Sequence, residues 1–500
     1  MEEPGNQLTV DVITPQTWTQ QYHPKSRRVA LSHQRRAVFK SKQHKSTKSK
    51  ELLFQKLLES QSQSLTRRSS TNGSQFDPFQ SFPVSSAPSV SHMAQYFLQV
   101  WGPQHGRAFA FEGHKNPYLS LLWPFALQTD IYFEALVALC RGTLLVVQSK
   151  SAHQDKAFAL HRSNVMTKLR RRLQDPEQCA DDATILVVAT LGTIDYILGD
   201  HNAATAHVTG MRQMIKIRGG FKANTPWDRL LQANVTAYES LWSFLFAADT
   251  TSNDIIQNAS QILGKSELTT YLSHPFPPDV CEMLAKVPRG FSDLGLTGVL
   301  SLQIIRLLAD FNQLSVQLSS SPVEGKFEMA LRPKIQGVLE DLHRLATLQT
   351  TPTERFLTNG LVAYCYLIRS IYFDEVLTGF YENALKILAE SALKQPPCTR
   401  LPDRKCYLWS YTMICTALET SVHPPLEWKS LMPMFLRTYS ETNSWKMLKR
   451  DLETFFWEDN LAQLCRTAYD EGVRRKKEGQ GLSPPAETRH STMTIRNVVL

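Results

Sequence analysis

The chain has 500 residues, of which 42% are hydrophobic, and a formal net charge of +9. It contains no run of about 18 uncharged apolar residues and no charged N-terminus followed by an apolar segment, so we predict neither a membrane span nor a secretory signal. The eight cysteines are scattered and form no C-x-x-C pair, which predicts reduced thiols and a cytosolic or nuclear protein.

The positive charge is concentrated in one segment near the N-terminus. Residues 21 to 70 hold thirteen Lys or Arg against two acidic residues, so the rest of the chain carries a net charge of about minus two. Residues 21 to 50 contain no acidic residue and few large apolar groups, which predicts a disordered basic arm. The candidate nucleic-acid or import contacts in this arm are Lys25, Arg27, Arg28, Arg35, Arg36, Lys40, Lys42, Lys45, Lys48 and Lys50.

Three interpretations of the basic arm remain open. Short clusters of Lys and Arg are typical of a nuclear-import or solubilising tail. The same charges would contact nucleic-acid phosphates without regard to base sequence, with an affinity that falls steeply as salt is added. A membrane-surface role is the third interpretation. The leucines that follow the arm do not sustain heptads, so no zipper is predicted to dimerise it.

A serine-rich linker follows the arm. Residues 60 to 91 include eleven serines and three prolines, a composition that stays flexible. Ser70 follows two arginines and is a candidate site for a basophilic kinase, although an unmodified spacer is the simpler interpretation. Phe79 and Phe82 are predicted to dock the end of the linker onto the folded body.

The remainder of the chain predicts an all-α, multi-helix bundle. We place the arm at residues 1–75, the helical domain at 76–478 and a disordered tail at 479–500, with a flexible loop at 250–264. Prolines are taken as breaks between helices. The predicted helices are roughly 91–101, 130–148, 152–173, 183–198, 201–218, 227–249, 299–318, 327–348, 354–376, 380–394, 404–420, 429–438 and 443–476.

The stretch from Asp181 to Phe221 predicts two consecutive helices with marked ends. Apolar residues recur at helical spacing in both, and the first helix is apolar on nearly every side, which places it inside a helical body. Aspartates can cap the start of each helix, glycines can close each one, and a cation faces the negative end of the second. The residues concerned are Asp181, Asp182, Gly199, Asp200, Arg218, Gly219 and Gly220.

The same stretch carries the motifs DP-E, D-x-T-I, L-G-D, H-x-x-G-M-R-x-M-I and R-G-G-F, with N-P-Y and W-P-F-A-L upstream. This order resembles the regulatory domain of fungal-specific transcription factors over roughly residues 76 to 470. The resemblance implies an all-helical domain that usually follows a zinc binuclear cluster. It also implies structural roles for Trp123 and Pro124 of W-P-F-A-L, and for Gly210 of H-x-x-G, where two helices would approach closely. Residues 455–457 resemble the closing helix of that domain.

One departure from the family pattern is decisive. A zinc binuclear cluster needs six closely spaced cysteines, because thiolates hold the metals and thereby fold so small a unit. This sequence has no cysteine before Cys140. The chain therefore resembles the members that keep the helical domain and lack the metal-dependent DNA reader.

No chemical motif points to an enzyme. The sequence has no H-E-x-x-H, G-x-S-x-G or G-x-G-x-x-G, so we predict no catalytic, cofactor-binding or metal-binding residue. Residues 259–266 fit a relaxed phosphate-loop pattern, but with one glycine and no buried strand before it.

The remaining polar and aromatic candidates favour structural roles. His207 is predicted to be a core residue hydrogen-bonded to a neighbouring helix, and Arg218 a C-cap cation. Residues 170–172 are predicted to be a solvated basic face. The group Trp242, Phe244, Phe246, Phe455, Phe456 and Trp457 is predicted to be core, although an effector pocket could share such walls.

Two functional hypotheses follow. The preferred one is a nuclear regulatory protein of the fungal transcription-factor type, acting through other regulatory proteins or a small-molecule effector, with nonspecific DNA affinity from the arm. The nucleus is the expected compartment and the cytoplasm the second. The alternative is a non-transcriptional helical interaction scaffold.

Overall fold

The computed structural model describes residues 82–84, 87–148, 150–221, 225–249, 270–320, 325–348, 350–373, 381–421 and 428–480. Several predictions lie outside these residues: the arm at 21–50, the Ser70 site, the loop at 250–264, the phosphate-loop pattern at 259–266 and the tail beyond residue 480.

The all-α prediction is confirmed. Apart from two isolated antiparallel bridges, the described residues contain no strand. A π-helical turn joins α1 to α2 at Phe97–Trp101, and another precedes α3 at Tyr118–Leu122. The α-helices are α1 (Pro88–Tyr96), α2 (Gly102–Gly106), α3 (Trp123–Leu127), α4 (Asp130–Val147), α5 (Lys156–Leu173), α6 (Asp182–Ile197), α7 (His201–Arg218), α8 (Pro226–Asp249), α9 (Pro278–Lys286), α10 (Arg289–Gly295), α11 (Leu302–Ser320), α12 (Gly325–Leu345), α13 (Pro352–Phe373), α14 (Glu382–Lys394), α15 (Leu401–Thr420), α16 (Trp428–Thr438), α17 (Trp445–Leu452) and α18 (Asp459–Gln480).

The N-terminal half is organised around α6. Every residue of this helix from Ala183 to Tyr196 is buried, as its all-round apolar character predicts. Helix α4 packs along one side of α6 and α7 along another, while α5 packs mainly against α4. Helix α6 is thus the interior element that its neighbours surround.

The C-terminal half is built on α13 and α15, which pack against each other over most of their length. Both are buried on nearly all sides, and α17 and α18 cover α15. Helices α8 and α12 pack together, and α12 also contacts α13, so this pair connects the two halves.

The predicted helix 443–476 is wrong as a single element. The chain forms α17 and α18 with a break between them at residues 453–458. Within the break, the carbonyl oxygen of Thr454 accepts a 2.7 Å hydrogen bond from the amide of Gly290. Phe455 and Phe456 are buried against Phe291 of α10, with ring centroids 4.9 and 4.7 Å away. Burial of two adjacent aromatic side chains and a tertiary hydrogen bond therefore outweigh helical continuity here.

Short helices were missed where prolines were taken as breaks. Helices α2, α3 and α9 each have a proline in their first two positions, where its missing N–H costs no helical hydrogen bond. Pro333 and Pro433 lie inside α12 and α16, in the helices predicted at 327–348 and 429–438. In this chain, several prolines begin or accompany helices rather than separate them.

Candidate functional site

The helix ends predicted between residues 181 and 221 are confirmed. Asp181 accepts a 2.9 Å hydrogen bond from the amide of Thr184, and Asp200 accepts one of 3.0 Å from Ala203. Gly199, Gly219 and Gly220 have φ values of 82°, 81° and 87°, the left-handed region that favours glycine. These residues fix where α6 and α7 begin and end.

Arg218 links three helices rather than only capping α7. Its guanidinium pairs with Asp182 at the start of α6, and a second nitrogen lies 3.9 Å from Asp228 of α8. The Asp182 carboxylate also accepts a 2.6 Å hydrogen bond from the indole of Trp227. Asp182 and Arg218 thus join the ends of α6, α7 and α8 through charge-assisted hydrogen bonds.

His207 lies beside a buried carboxylate of the neighbouring helix. Its Nε2 is 3.2 Å from Oδ2 of Asp195, which is 1% exposed, and the other oxygen of Asp195 accepts hydrogen bonds from Arg162. The His207 side chain is 17% exposed, and Asp195 Oδ2 has no hydrogen-bond partner among the described residues. His207 therefore contacts the neighbouring helix, as predicted, but it is only partly buried and not a core residue.

The close helix approach implied for Gly210 is not found there. A Cβ added at Gly210 would meet no atom within 4 Å. A Cβ added at Gly192 of α6 would lie 2.7 Å from the ring of Trp242 and 3.3 Å from Cβ of His207. The glycine that permits close packing is therefore Gly192, and Gly210 faces open space.

Trp123 and Pro124 open α3, and Trp123 lies in an aromatic cluster with Phe97 and Phe133. Phe82 contacts this cluster, 5.2 Å from Phe133 and 6.5 Å from Trp123 between ring centroids. The described part of the linker is therefore docked as predicted, while Phe79 lies outside the described residues.

The basic group that ends α5 is only partly solvated. Arg170 and Arg171 are exposed, as predicted. Arg172 pairs with Asp181 and donates a 3.1 Å hydrogen bond to the hydroxyl of Thr184. Its role is to join α5 to the start of α6.

A cavity of about 60 Å³ lies among α2, α8, α12 and α13. We call it the tyrosine cavity, because Tyr118, Tyr238, Tyr366 and Tyr381 lie in its wall. Partly exposed His105 and Phe109 also line it, which connects it to the surface. The predicted aromatic group does not form this cavity: Trp242 and Phe244 are core residues of α8, and Phe455 and Phe456 pack about α10.

Two buried nitrogen-bearing side chains give the tyrosine cavity its polarity. His343 is 3% exposed and Arg369 is 4% exposed. Arg369 donates a 2.8 Å hydrogen bond to Oε1 of Gln336 and lies over the ring of Tyr381, 5.3 Å from its centroid. Gln336 in turn donates to Glu340, so its amide is held at both ends. The guanidinium is thus fixed at the wall.

His343 is neutral at physiological pH. Burial, followed by the positive charge of Arg369, lowers the pKa of His343 to about 3. Its Nε2 lies 3.5 Å from the hydroxyl of Tyr366, and Nδ1 has no hydrogen-bond partner among the described residues. Burial also raises the pKa of Tyr238 to about 12 and those of Tyr118 and Tyr366 well above the ordinary phenol value. These phenols therefore keep their protons.

A weak sequence signal for the tyrosine cavity existed. Gln336 and His343 are seven residues apart on α12, and Tyr366 and Arg369 are three apart on α13, so each pair shares a helix face. Polar and titratable groups on core-facing helix surfaces are rarely buried without partners. What the sequence lacked was the pairing of α12 with α13.

Another titratable side chain with a raised pKa is Glu458, which is half-buried in the break before α18. Burial raises its pKa to about 7 although Tyr372 donates a hydrogen bond to it, and its Oε1 has no partner among the described residues.

Among the described residues no cluster of His, Cys, Asp and Glu has the arrangement of a metal site. No helix in the described ranges combines the length and apolarity that crossing a bilayer requires.

Comparison with known proteins identifies the family. The fungal specific transcription factor domain matches residues 92–436, which is more than half of the chain. No curated protein and no solved structure matches significantly. The matched region begins within α1 and ends within α16, and it includes the tyrosine cavity and the charged contacts of α6 and α7. The chain therefore belongs to the fungal-specific transcription factor domain family.

Proposed function

We propose that this protein is a nuclear transcription regulator without a zinc-cluster DNA reader, acting through contacts of its helical body with regulatory proteins or a small effector. The proposal is carried by one observation: the same chain contains a fungal transcription factor domain and a strongly cationic segment. The 139 residues before Cys140 contain no cysteine and so cannot hold a binuclear zinc cluster.

The uneven distribution of charge along the chain supports different roles for the basic arm and the helical body. Residues 21–50 carry ten basic residues and no acidic one, whereas the chain outside residues 21–70 is nearly neutral. A dense cationic segment attracts polyanions at long range and supplies sequence-independent affinity for DNA. The nearly neutral body recognises its partners by shape and hydrogen bonding. We assign it no enzymatic activity.

Import and location are tested by imaging a fluorescently tagged full chain and a version lacking residues 21–50. The matched control keeps the composition of residues 21–50 but scrambles their order, which preserves charge and length. We expect the full chain and the scrambled form in the nucleus and the deleted form depleted there. Exclusion of the full chain from the nucleus would reject the regulatory function and favour the interaction scaffold.

DNA contact is tested separately with purified full chain and a duplex of random sequence. Six to ten phosphate contacts would lower the affinity about 10³-fold or more between about 50 and 200 mM salt. The deletion of residues 21–50 should abolish this salt dependence and the scrambled control should retain it. If the DNA affinity of the full chain does not change with salt concentration, the arm is not the DNA contact.

A further inference from the structure

We propose that the outer face of α17 binds an acidic segment of a regulatory partner protein, one that also carries leucine or aromatic side chains. We call this surface the α17 face and define it by Trp445, Lys446 and Arg450 of α17, with Trp457 and Arg466 beside them. The inference rests on the proposed function and names the class of its protein partner. It is tested by binding to the purified chain, so its failure leaves the test of nuclear localisation unaffected.

Helix α17 has one buried side and one side open to solvent. Leu448, Asp451 and Leu452 form the buried side. Lys446 and Arg450 are exposed and four residues apart, so they lie one turn from each other on the opposite side. Among the described residues neither has an ion-pair partner. Their positive charges are therefore available to a partner.

Two further cations near this side are already paired. Nζ of Lys449 lies 3.3 Å from Oε1 of Glu453, and Nε of Arg466 lies 2.7 Å from Oδ2 of Asp470. These two ion pairs add no net charge, so the excess charge of the α17 face is that of its two unpaired cations. A partner with a few carboxylates complements this charge.

Two partly exposed tryptophans lie beside the cations. Trp445 is the first residue of α17, and its ring centroid is 6.4 Å from that of Trp457. Unlike Phe455 and Phe456, which are buried, Trp457 is only partly buried, although the sequence predicts a core residue there. Neither indole donates a hydrogen bond to an acceptor among the described residues. Each tryptophan can therefore contact an apolar side chain with its ring and a carboxylate with its N–H.

The arrangement of these groups favours an acidic protein segment over nucleic acid. The guanidinium of Arg466 lies over the ring of Trp445, 5.4 Å from its centroid, and so occupies a face on which a base would stack. Glu453 and Asp470 are about half exposed and lie among the cations, where they would repel a continuous row of phosphates. The separate carboxylates of a peptide can be spaced to avoid them.

The α17 face lies outside the part of the chain that matches the family. The match ends at residue 436, whereas α17 begins at Trp445. Helix α17 nevertheless packs on α15 and so belongs to the helical body. We therefore expect its partner to be particular to this chain and not common to the family.

The experiment is fluorescence anisotropy of the purified full chain with a short labelled peptide in which aspartates alternate with leucine and phenylalanine. One control peptide has asparagine in place of aspartate, and another has serine in place of the apolar residues. Single-stranded DNA with the same label represents the nucleic-acid alternative. At about 150 mM salt, where long-range attraction is screened, we expect the acidic peptide to bind with a dissociation constant of about 100 µM or tighter. Both control peptides should bind at least about fivefold more weakly.

Variants of the full chain separate the α17 face from the basic arm, which also attracts acidic peptides. The double variant Lys446→Gln, Arg450→Gln should weaken peptide binding about fivefold or more, because it removes both unpaired charges. Trp445→Phe keeps an aromatic ring but removes the indole N–H, and should weaken binding about two- to fivefold. The matched control Arg170→Gln, Arg171→Gln removes two exposed cations from α5 and should leave the affinity within about twofold. Circular dichroism checks that each variant is folded.

Four results would overturn the assignment. The first is no saturable binding of the acidic peptide up to about 1 mM. The second is equal affinity for either control peptide. The third is an equal loss of peptide affinity in the α17 and α5 double variants, which would assign binding to general charge. The fourth is a larger loss of DNA affinity than of peptide affinity in the α17 double variant, which would make the α17 face a nucleic-acid contact.

Discussion

The two halves of the helical body differ in the contacts around their central helices. Around α6 and α7, carboxylates near helix ends pair with cations from other helices, as Asp182 does with Arg218 and Asp195 with Arg162. Around α13 and α15, a cluster of aromatic rings from α10, α11, α13, α15 and the break before α18 fills the interior.

This difference explains which parts of the family pattern are visible in the sequence. Caps and charged contacts at helix ends need particular residues at fixed positions, so they produce short motifs such as L-G-D and R-G-G-F. An aromatic interior needs only sufficient volume and shape, and many sequences satisfy it. The C-terminal half accordingly carries few motifs although it is as thoroughly buried.

The largest expected effect is in the aromatic cluster. Phe456 is 2% exposed, and its ring lies 4.7 Å from Phe291 and 5.1 Å from Phe311. Phe456→Ala should lower the free energy of unfolding by about 3–5 kcal/mol, because it leaves a cavity that the helices cannot close. Urea unfolding measures this loss. Met447→Ala, at a side chain 46% exposed, is the control, and a similar loss in both variants would contradict the account.

A smaller loss is expected in the charged region. Asp195→Asn keeps the shape of the side chain but leaves Arg162 and His207 without their buried carboxylate, and should lower the free energy of unfolding by about 2 kcal/mol. Arg162 is 36% exposed, so water compensates part of the loss. The control Asp341→Asn breaks a pair in which both partners are more than half exposed, and should change stability by under about 0.5 kcal/mol. Equal losses of unfolding free energy in Asp195→Asn and Asp341→Asn would show that the burial of Asp195 does not strengthen its contacts.

The raised pKa of Glu458 predicts that the stability of the C-terminal half depends on pH. Its pKa is raised to about 7 in the folded protein, from 4.5 ordinarily, by burial first, with Asp459 adding to it and the Tyr372 hydrogen bond opposing it. Because the folded pKa is raised, the stabilising contribution is complete below about pH 4.5 and is lost as the pH rises through 7.

Replacement with Gln removes this titration. Glu458→Gln should raise stability at pH 8 by about 1–2 kcal/mol and flatten its dependence between about pH 5 and 8. Thermal unfolding across that pH range measures the change. A variant with the same pH profile as the wild type would exclude Glu458 as the source.

The smallest effects separate two glycines on adjacent helices. Gly210→Ala should stabilise the protein by about 0.5–1 kcal/mol, because the new methyl group meets open space and alanine favours a helix. Gly192→Ala should instead destabilise it by about 1 kcal/mol, since the methyl group would overlap Trp242. Chemical unfolding of both variants tests which glycine permits close packing. If Gly210→Ala destabilised the protein and Gly192→Ala stabilised it, Gly210 would be the close-packing position.

The sequence predicted local features better than tertiary ones. The caps at Asp181, Asp200 and Gly219 depend on residues within a few positions of each other, and all three are found. The break before α18 depends on Phe455 and Phe456 meeting α10, more than 150 residues away in the chain. No local pattern contains that information.

The same limit applies to the tyrosine cavity. Its polar residues lie on α12 and α13 at helical spacing, which the sequence shows. Their meeting with Tyr118 and Tyr238 from other helices follows only from the packing. This cavity therefore lies away from Trp242, Phe244, Phe455 and Phe456, the aromatic residues beside which the sequence allowed a pocket.

The proposed function depends most on the joint action of the helical body and the cationic arm on chromatin. Its most direct test is chromatin profiling of the tagged full chain beside a version that lacks residues 21–50 but carries an unrelated nuclear-import signal, so that both enter the nucleus. We expect the full chain at discrete loci and a much weaker signal at the same loci without the arm. A full chain that shows no enrichment over an untagged control would contradict the account.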